Sequence, residues 1–173
     1  MISTRLFKSN RKLITYISWS LVTLWMLTIF NLSSQAAQQS NNLSTGVSEA
    51  IVEVIEKVAP KYDFDIRELN HLLRKNAHFF SYLVLGVLVI NALRRSGNKR
   101  MTGYALAFVI CVLYAVSDEV HQLFVPGRGG QVTDVLIDSA GAAVGITAYL
   151  LVLEIVRISS RGVANGVIYK RTN

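Results

Sequence analysis

One short segment places a carboxylate and an imidazole a single helical turn apart. Asp118 and His121 are spaced i, i+3, and Glu119 and Gln122 add a second carboxylate and an amide beside them. In a helix, residues at this spacing project from the same side. A carboxylate–imidazole pair can transfer protons or bind a metal ion. The same residues also suit an interhelical hydrogen-bond network, and the spacing leaves both interpretations open.

A second group of polar residues precedes an apolar run. Lys75, His78, Tyr82 and Gly86 are spaced i, i+3, i+7 and i+11, so a helix presents them on one face. Polar groups at the end of a helix in lipid are expected to face protein or a water cavity. His78 is therefore either a packing histidine bonded to a neighbouring helix, or a proton-transfer group or ligand at the mouth of a cavity.

A glycine-rich loop with a single arginine follows the Asp118–Gln122 segment. Pro126 and the glycines of Gly127–Gly130 favour a tight turn around Arg128. Such a loop before a helix N-terminus can hold an anion. An ordinary turn between two helices accounts for the glycines equally well, so both alternatives stay open.

Two further carboxylates begin the last apolar segment. Asp134 and Asp138 continue through Gly141 and Gly145 along one helical stripe. Small residues at this spacing let another helix approach closely, so the acids are expected to face protein rather than lipid. A charge in hydrocarbon costs several kcal/mol, which means that these acids need a cationic side chain, a protonated histidine or a metal ion as partner.

The composition indicates which elements must position these residues. Of the 173 residues, 51% are hydrophobic and 17% are charged, whereas soluble domains carry roughly 25% charged residues. The apolar residues form four long blocks, and a helix of about 20 apolar residues crosses a bilayer. We therefore predict an all-α polytopic membrane protein, a four-helix bundle. The predicted spans are residues 13–32, 77–93, 102–120 and 132–156.

The long segment between the first two spans carries a pattern of its own. Between Val47 and Val58, apolar residues recur at helical spacing, and Pro60 ends the pattern. The sequence predicts an extracytoplasmic amphipathic helix that lies on the membrane surface or caps the bundle.

The positive charges predict the orientation of the bundle. The tails 1–12 and 157–173 and the short second loop each hold 4 Lys or Arg residues, whereas the third loop holds Arg128 alone and the first loop holds 5 that are spread over a long segment. Cytoplasmic segments are enriched in Lys and Arg, so we expect a plasma-membrane domain over 13–156 with both basic tails in the cytoplasm. The net charge of +7 is thus attributed to the membrane surface and lipids as partners, not to nucleic acid.

In this orientation the unusual polar residues gather at the outer side of the bundle. We predict catalytic candidates among His78, Asp118, Glu119 and His121. The candidates for binding a substrate or an anion are Lys75, Tyr82, Gln122, Arg128, Asp134 and Asp138. A divalent metal ion is a candidate cofactor, although no single spacing requires it.

Three segments of the chain resemble the VanZ-like membrane proteins. They are FNLSSQ (Phe30–Gln35), RKNAHFFSYLVLG (Arg74–Gly86) and DEVHQLFVPGRGGQVTDVLIDSAG (Asp118–Gly141). The resemblance implies a four-helix membrane fold and a place in the bacterial envelope. The family takes its name from a protein linked to low-level teicoplanin resistance, although most of its members lie outside resistance gene clusters. The resemblance supplies no reaction, so no residue inherits a catalytic role.

Two functions follow as hypotheses. In the first, an envelope protein uses its outward polar site to bind an envelope lipid, a lipid-linked precursor or a glycopeptide, and contributes to low-level glycopeptide resistance. In the second, the protein is an enzyme for a phosphorylated or lipid-linked envelope substrate and uses His, Asp and Glu in acid–base or metal chemistry. Transport is disfavoured because the inner halves of the spans lack ionisable residues to continue a pathway.

Overall fold

Four helices form the described part of the chain. The computed structural model describes residues 2–35, 45–46, 66–98 and 101–171. The helices are α1 (Ile2–Ser33), α2 (Ile66–Arg95), α3 (Met101–Gln122) and α4 (Val132–Arg171), with no strand among the described residues. The amphipathic helix predicted over 47–58 lies outside these ranges.

Each helix contains a stretch that is long and apolar enough to cross a membrane. The four stretches are Arg11–Ser33, Leu72–Arg95, Met101–Gln122 and Val132–Ser160. The prediction of an all-α protein with four membrane spans is thereby confirmed. The third helix does not stop where its apolar run ends, because it continues through Asp118 and Glu119 to Gln122.

Large apolar side chains cover the outside of the bundle. Leu24, Leu113, Leu136 and Leu151 are each at least half exposed. A bundle in water would expose such residues at a cost of about 1.5–3 kcal/mol each relative to burial. In a bilayer the same residues contact lipid, so the outer surface is the face of a membrane protein.

The helix α2 is the centre of the bundle. It contacts α1, α3 and α4, and its Leu85, Val89 and Ile90 are fully buried. It ends in a turn at Gly97, whose φ of 103° suits glycine, and the Asn98 backbone N–H donates to the Leu93 carbonyl oxygen at 3.0 Å.

Contacts between helices assign the connections to opposite ends of the bundle. At one end, the Trp19 indole N–H donates to the Ser96 hydroxyl at 3.0 Å, next to the connection between α2 and α3. At the other end, Ser34 Oγ lies 3.1 Å from His121 Nε2, where α1 leaves the bundle and α3 ends. The connection between α3 and α4 is therefore at the opposite end from the connection between α2 and α3.

Glycines bring α2 and α4 together in parallel. A Cβ added at Gly86 would come closer than 3.0 Å to the Ala142 carbonyl oxygen, and one added at Gly145 would come even closer to that of Leu83. Gly141 meets the backbone of Phe79 in the same way. The sequence prediction that this small-residue stripe admits a second helix is confirmed. The close approach also suits weak Cα–H···O contacts between the backbones.

Gly145→Ala is expected to destabilise the bundle, because its Cβ overlaps a backbone that cannot move aside cheaply. The expected loss is ~1–3 kcal/mol in the free energy of unfolding, measured by thermal or denaturant unfolding in one detergent. Gly129→Ala is the matched control, since nothing lies within 4 Å of its Cβ position. Equal stability of the two variants would show that α2 and α4 are not in backbone contact at Gly145.

Candidate functional site

The close α2–α4 crossing sets a histidine against an aspartate. His78 stands two turns before Gly86 on the facing stripe of α2, and Asp138 stands one turn before Gly141 on α4. His78 Nδ1 lies 3.4 Å from Asp138 Oδ1, with the side chains 20% and 0% exposed, respectively. The contact is at ion-pair distance but outside hydrogen-bond geometry, so neither Asp138 oxygen has a hydrogen-bond partner among the described residues.

The last turn of α3 adds two buried carboxylates. Asp118 is 2% exposed and Glu119 is 5% exposed. The Gln122 amide donates to Asp118 Oδ2 at 3.5 Å and to Glu119 Oε1 at 3.3 Å. The backbone N–H of Gln131 donates to Glu119 Oε2 at 2.8 Å. Glu119 therefore ties the end of α3 to the start of α4, and Gln122 holds the two carboxylates together.

Three of these groups converge. Ligand atoms of His78, Asp118 and Glu119 all lie within 4.8 Å of one another. Residues that are far apart in the sequence thus form one polar group, which we call the His–Asp–Glu cluster. An imidazole nitrogen and two carboxylate oxygens are a donor set that can hold a divalent metal ion.

The ionised side chains of the cluster do not balance one another's charge. Together with Asp138 the cluster holds three buried carboxylates and one imidazole, and Asp118 Oδ1 lacks a hydrogen-bond partner in the described part of the chain. An isolated charge away from water costs several kcal/mol. The cluster therefore requires protons, a ligand or a cation to balance it.

Arginines approach the cluster from the loop and from α2. Burial lowers the pKa of the Arg128 guanidinium below its ordinary value of 12.5, and the positive charge of Arg74 lowers it further, while Asp118 and Glu119 act in the opposite sense. Arg128 Nε is buried without a hydrogen-bond partner, and neither arginine forms an ion pair with the carboxylates whose side chains are described. Gly127 holds the turn beside them with a φ of 75°.

His121 makes its contacts outside the cluster. Its ring stacks on Phe30 with centroids 4.4 Å apart, and its Nε2 contacts Ser34 Oγ. The structure thus turns this imidazole towards the end of α1, while Asp118, one turn earlier, belongs to the cluster. Their i, i+3 spacing places them near each other without making them partners.

The other predicted residues line the same end of the bundle. Lys75 is half-buried one turn before His78, and Tyr82 is fully buried one turn after it, with a hydroxyl that has no partner among the described residues. Asp134 is half-buried, and one of its carboxylate oxygens is buried without a partner.

Several residues that contribute contacts at the cluster end of the bundle were not among the predicted site residues. Arg74 and Ser34 lie within the segments that carry the family resemblance, and their polarity next to an apolar run was a usable signal. Gln131 contributes through its backbone N–H, so its side-chain type gives no indication of the contact. Phe30 was indistinguishable from a lipid-facing aromatic residue.

The fold and this cluster define a multi-pass membrane protein with a buried ionisable site at one end of a four-helix bundle. The model of the VanZ/LLP1 family matches residues 18–153, which is most of the chain and includes every candidate residue. The chain belongs to this family, and the resemblance to VanZ-like proteins is confirmed. Among curated proteins and among solved structures, no significant match is found.

The buried Tyr82 and the half-buried Tyr114 allow a direct check of whether the Tyr82 hydroxyl is unpaired. The Tyr114 hydroxyl donates to the Met26 carbonyl oxygen, so Tyr114→Phe is expected to cost about 0.5–1.5 kcal/mol. Tyr82→Phe is expected to be neutral or stabilising, because it removes a buried hydroxyl without a partner. Thermal unfolding of both variants without added ligand measures the difference. A loss at Tyr82 as large as that at Tyr114 would mean that the Tyr82 hydroxyl is satisfied.

Proposed function

We propose that this protein is a plasma-membrane protein of the bacterial envelope with the His–Asp–Glu cluster on the outer side. The end of the bundle opposite the cluster carries Arg11, Lys12, Arg94 and Arg95. Membrane proteins concentrate Lys and Arg on the cytoplasmic side. This distribution supports cytoplasmic termini and an outward polar site.

We further propose that the outer site binds an anionic, phosphorylated headgroup. The supporting observations are that Arg74 and Arg128 are both half-buried at this end, that neither forms an ion pair with a described carboxylate, and that Arg128 Nε has no hydrogen-bond partner among the described residues. Two guanidinium groups that repel each other are stabilised by an anion between them. Arginine suits phosphate because its planar donors bind two oxygens at once.

The ligand class that fits is an envelope lipid or a lipid-linked precursor with a phosphate at the membrane surface. The acyl or prenyl chain would lie along the lipid-facing helices while the phosphate meets the arginines. A glycopeptide is the other ligand class in the proposal. If the ligand is a precursor or a glycopeptide, a contribution to low-level teicoplanin resistance would follow.

A second candidate function is hydrolysis of such a phosphorylated lipid. It is favoured by the contact between His78 and Asp138, because a buried carboxylate beside Nδ1 can orient the ring and stabilise its protonated form. His78 would take a proton from water as the water oxygen bonds to phosphorus. The phosphorus–oxygen bond to the leaving group would then break, and the leaving oxygen would take up a proton.

Binding of a headgroup is tested with purified protein in phosphatidylcholine nanodiscs. Polyprenyl phosphate and phosphatidylglycerol are titrated separately, and occupancy is read by native mass spectrometry. Arg128→Gln and Arg74→Gln are each expected to weaken binding roughly 10- to 100-fold, because a hydrogen bond to a charged group contributes about 1.5–3 kcal/mol. Arg157→Gln is the charge-matched control, since Arg157 pairs with Glu154 away from the site.

Binding that is unchanged in Arg128→Gln, or weakened equally in Arg157→Gln, would contradict the headgroup site. The same preparations distinguish the two functions when polyprenyl diphosphate is added and free phosphate is measured. Phosphate release that is lost in His78→Gln supports the enzyme, whereas binding without release supports the non-catalytic envelope protein.

A further inference from the structure

We infer that the His–Asp–Glu cluster is a binding site for one divalent cation. Two helices supply the ligands: His78 from α2, and Asp118 and Glu119 from the last turn of α3, with ligand atoms within 4.8 Å of one another. The inference goes beyond the headgroup site and does not depend on it, because the cation would be bound by the protein alone.

Buried oxygens without partners point to a missing ligand. Asp118 Oδ1 and Asp138 Oδ2 have no hydrogen-bond partner in the described part of the chain, although the two residues are 2% and 0% exposed. Asp138 Oδ1 faces His78 Nδ1 at 3.4 Å. Buried polar atoms are nearly always satisfied by protein, water or an ion. Asp118, which carries one of these oxygens, is a member of the cluster.

The surroundings orient the three ligands as a metal site requires. Asp138 lies at Nδ1 of His78, so we take Nε2 as the coordinating nitrogen. Metal-binding histidines usually present their second nitrogen to a carboxylate in this way. A cation bound at Nε2 occupies the nitrogen that hydrolysis would need as its base, so the metal site and the role of His78 as a base are alternatives. The Gln122 amide holds one oxygen of each carboxylate, and the Gln131 backbone N–H holds Glu119 Oε2.

The charge and the distances suit a divalent ion. A charge of +2 balances the two carboxylates of the cluster, and the Asp138 carboxylate lies beside the Nδ1–H group of a neutral, metal-bound imidazole. With metal–ligand bonds of about 2.1 Å, neighbouring ligand atoms are about 3–3.5 Å apart. The ligand atoms lie within 4.8 Å of one another, and side-chain rotation would bring them to this separation around the ion.

The donor types favour a particular class of cation. Imidazole nitrogen with carboxylate oxygen suits Zn²⁺ and other first-row ions such as Mn²⁺, whereas Ca²⁺ and Mg²⁺ prefer sites built from oxygen alone. With three protein ligands, such an ion keeps open positions for water or a ligand oxygen. Because Arg128 interacts electrostatically with Asp118 and Glu119, a bound cation would also strengthen the positive potential near the loop.

The site is tested with metal alone, in the absence of any phospholipid ligand. Purified protein in detergent is stripped with a chelator, loaded with Zn²⁺ or Mn²⁺, and analysed by elemental mass spectrometry and calorimetry. The expected result is one equivalent per chain for the wild type. His78→Gln and Asp118→Asn are each expected to weaken binding at least 10-fold, and Asp138→Asn roughly 10- to 100-fold through the orientation of His78.

Two control variants separate the cluster from unspecific binding. His121→Gln removes an imidazole at the same end but outside the cluster, and Glu154→Gln removes a carboxylate at the opposite end. Both are expected to keep wild-type stoichiometry and affinity. A wild type without stoichiometric metal, or an equal loss in His121→Gln, would overturn the site.

The wild type also provides a test that needs no variant to fold. Its Mn²⁺ electron paramagnetic resonance spectrum is expected to show coupling to one imidazole nitrogen. Bound Mn²⁺ without nitrogen coupling would overturn the assignment of His78 as a ligand. Because no headgroup is present in these measurements, a failed metal site and a failed headgroup site give different results.

Discussion

Exclusion of charge from hydrocarbon is the constraint on which the whole arrangement depends. No Asp, Glu, Lys or Arg occurs in residues 13–33, 79–93, 101–117 or 139–153. The ionisable residues of the bundle therefore lie at its two ends, since a charge within lipid costs several kcal/mol. Basic residues dominate one end, where the acid Glu154 pairs with Arg157. The other end combines carboxylates with imidazoles and guanidiniums.

Helix packing brings the ionisable residues at one end of the bundle together into a site. The glycines of α2 and α4 let the two backbones touch, and the same faces carry His78 two turns before Gly86 and Asp138 one turn before Gly141. A longer distance between the helices would separate this pair and admit lipid or water. The continuation of α3 beyond its apolar run then delivers Asp118 and Glu119 to the same place. The polar site and the tight crossing are consequences of the same stripe of residues.

The sequence predicted the helices and the faces of this bundle better than the partners within it. Apolar length and basic flanks identify four spans, and the periodicity correctly places Gly86 of α2 and Gly145 of α4 on contacting faces. Spacing along one helix does not set its rotation against a neighbour, so it grouped His121 with Asp118. In the structure His121 contacts Ser34. The imidazole that joins Asp118 in the cluster is that of His78, which comes from another helix.

Cysteine labelling in intact cells tests most directly whether the polar end faces outward. Ser96→Cys and Gly129→Cys are made separately with Cys111→Ala, because Cys111 is the only native cysteine and is buried. The account predicts that a membrane-impermeant maleimide labels the thiol at position 129 in intact cells and the thiol at position 96 only after permeabilisation. Labelling of position 96 alone in intact cells, or of both positions equally, would contradict the orientation and remove the outward site.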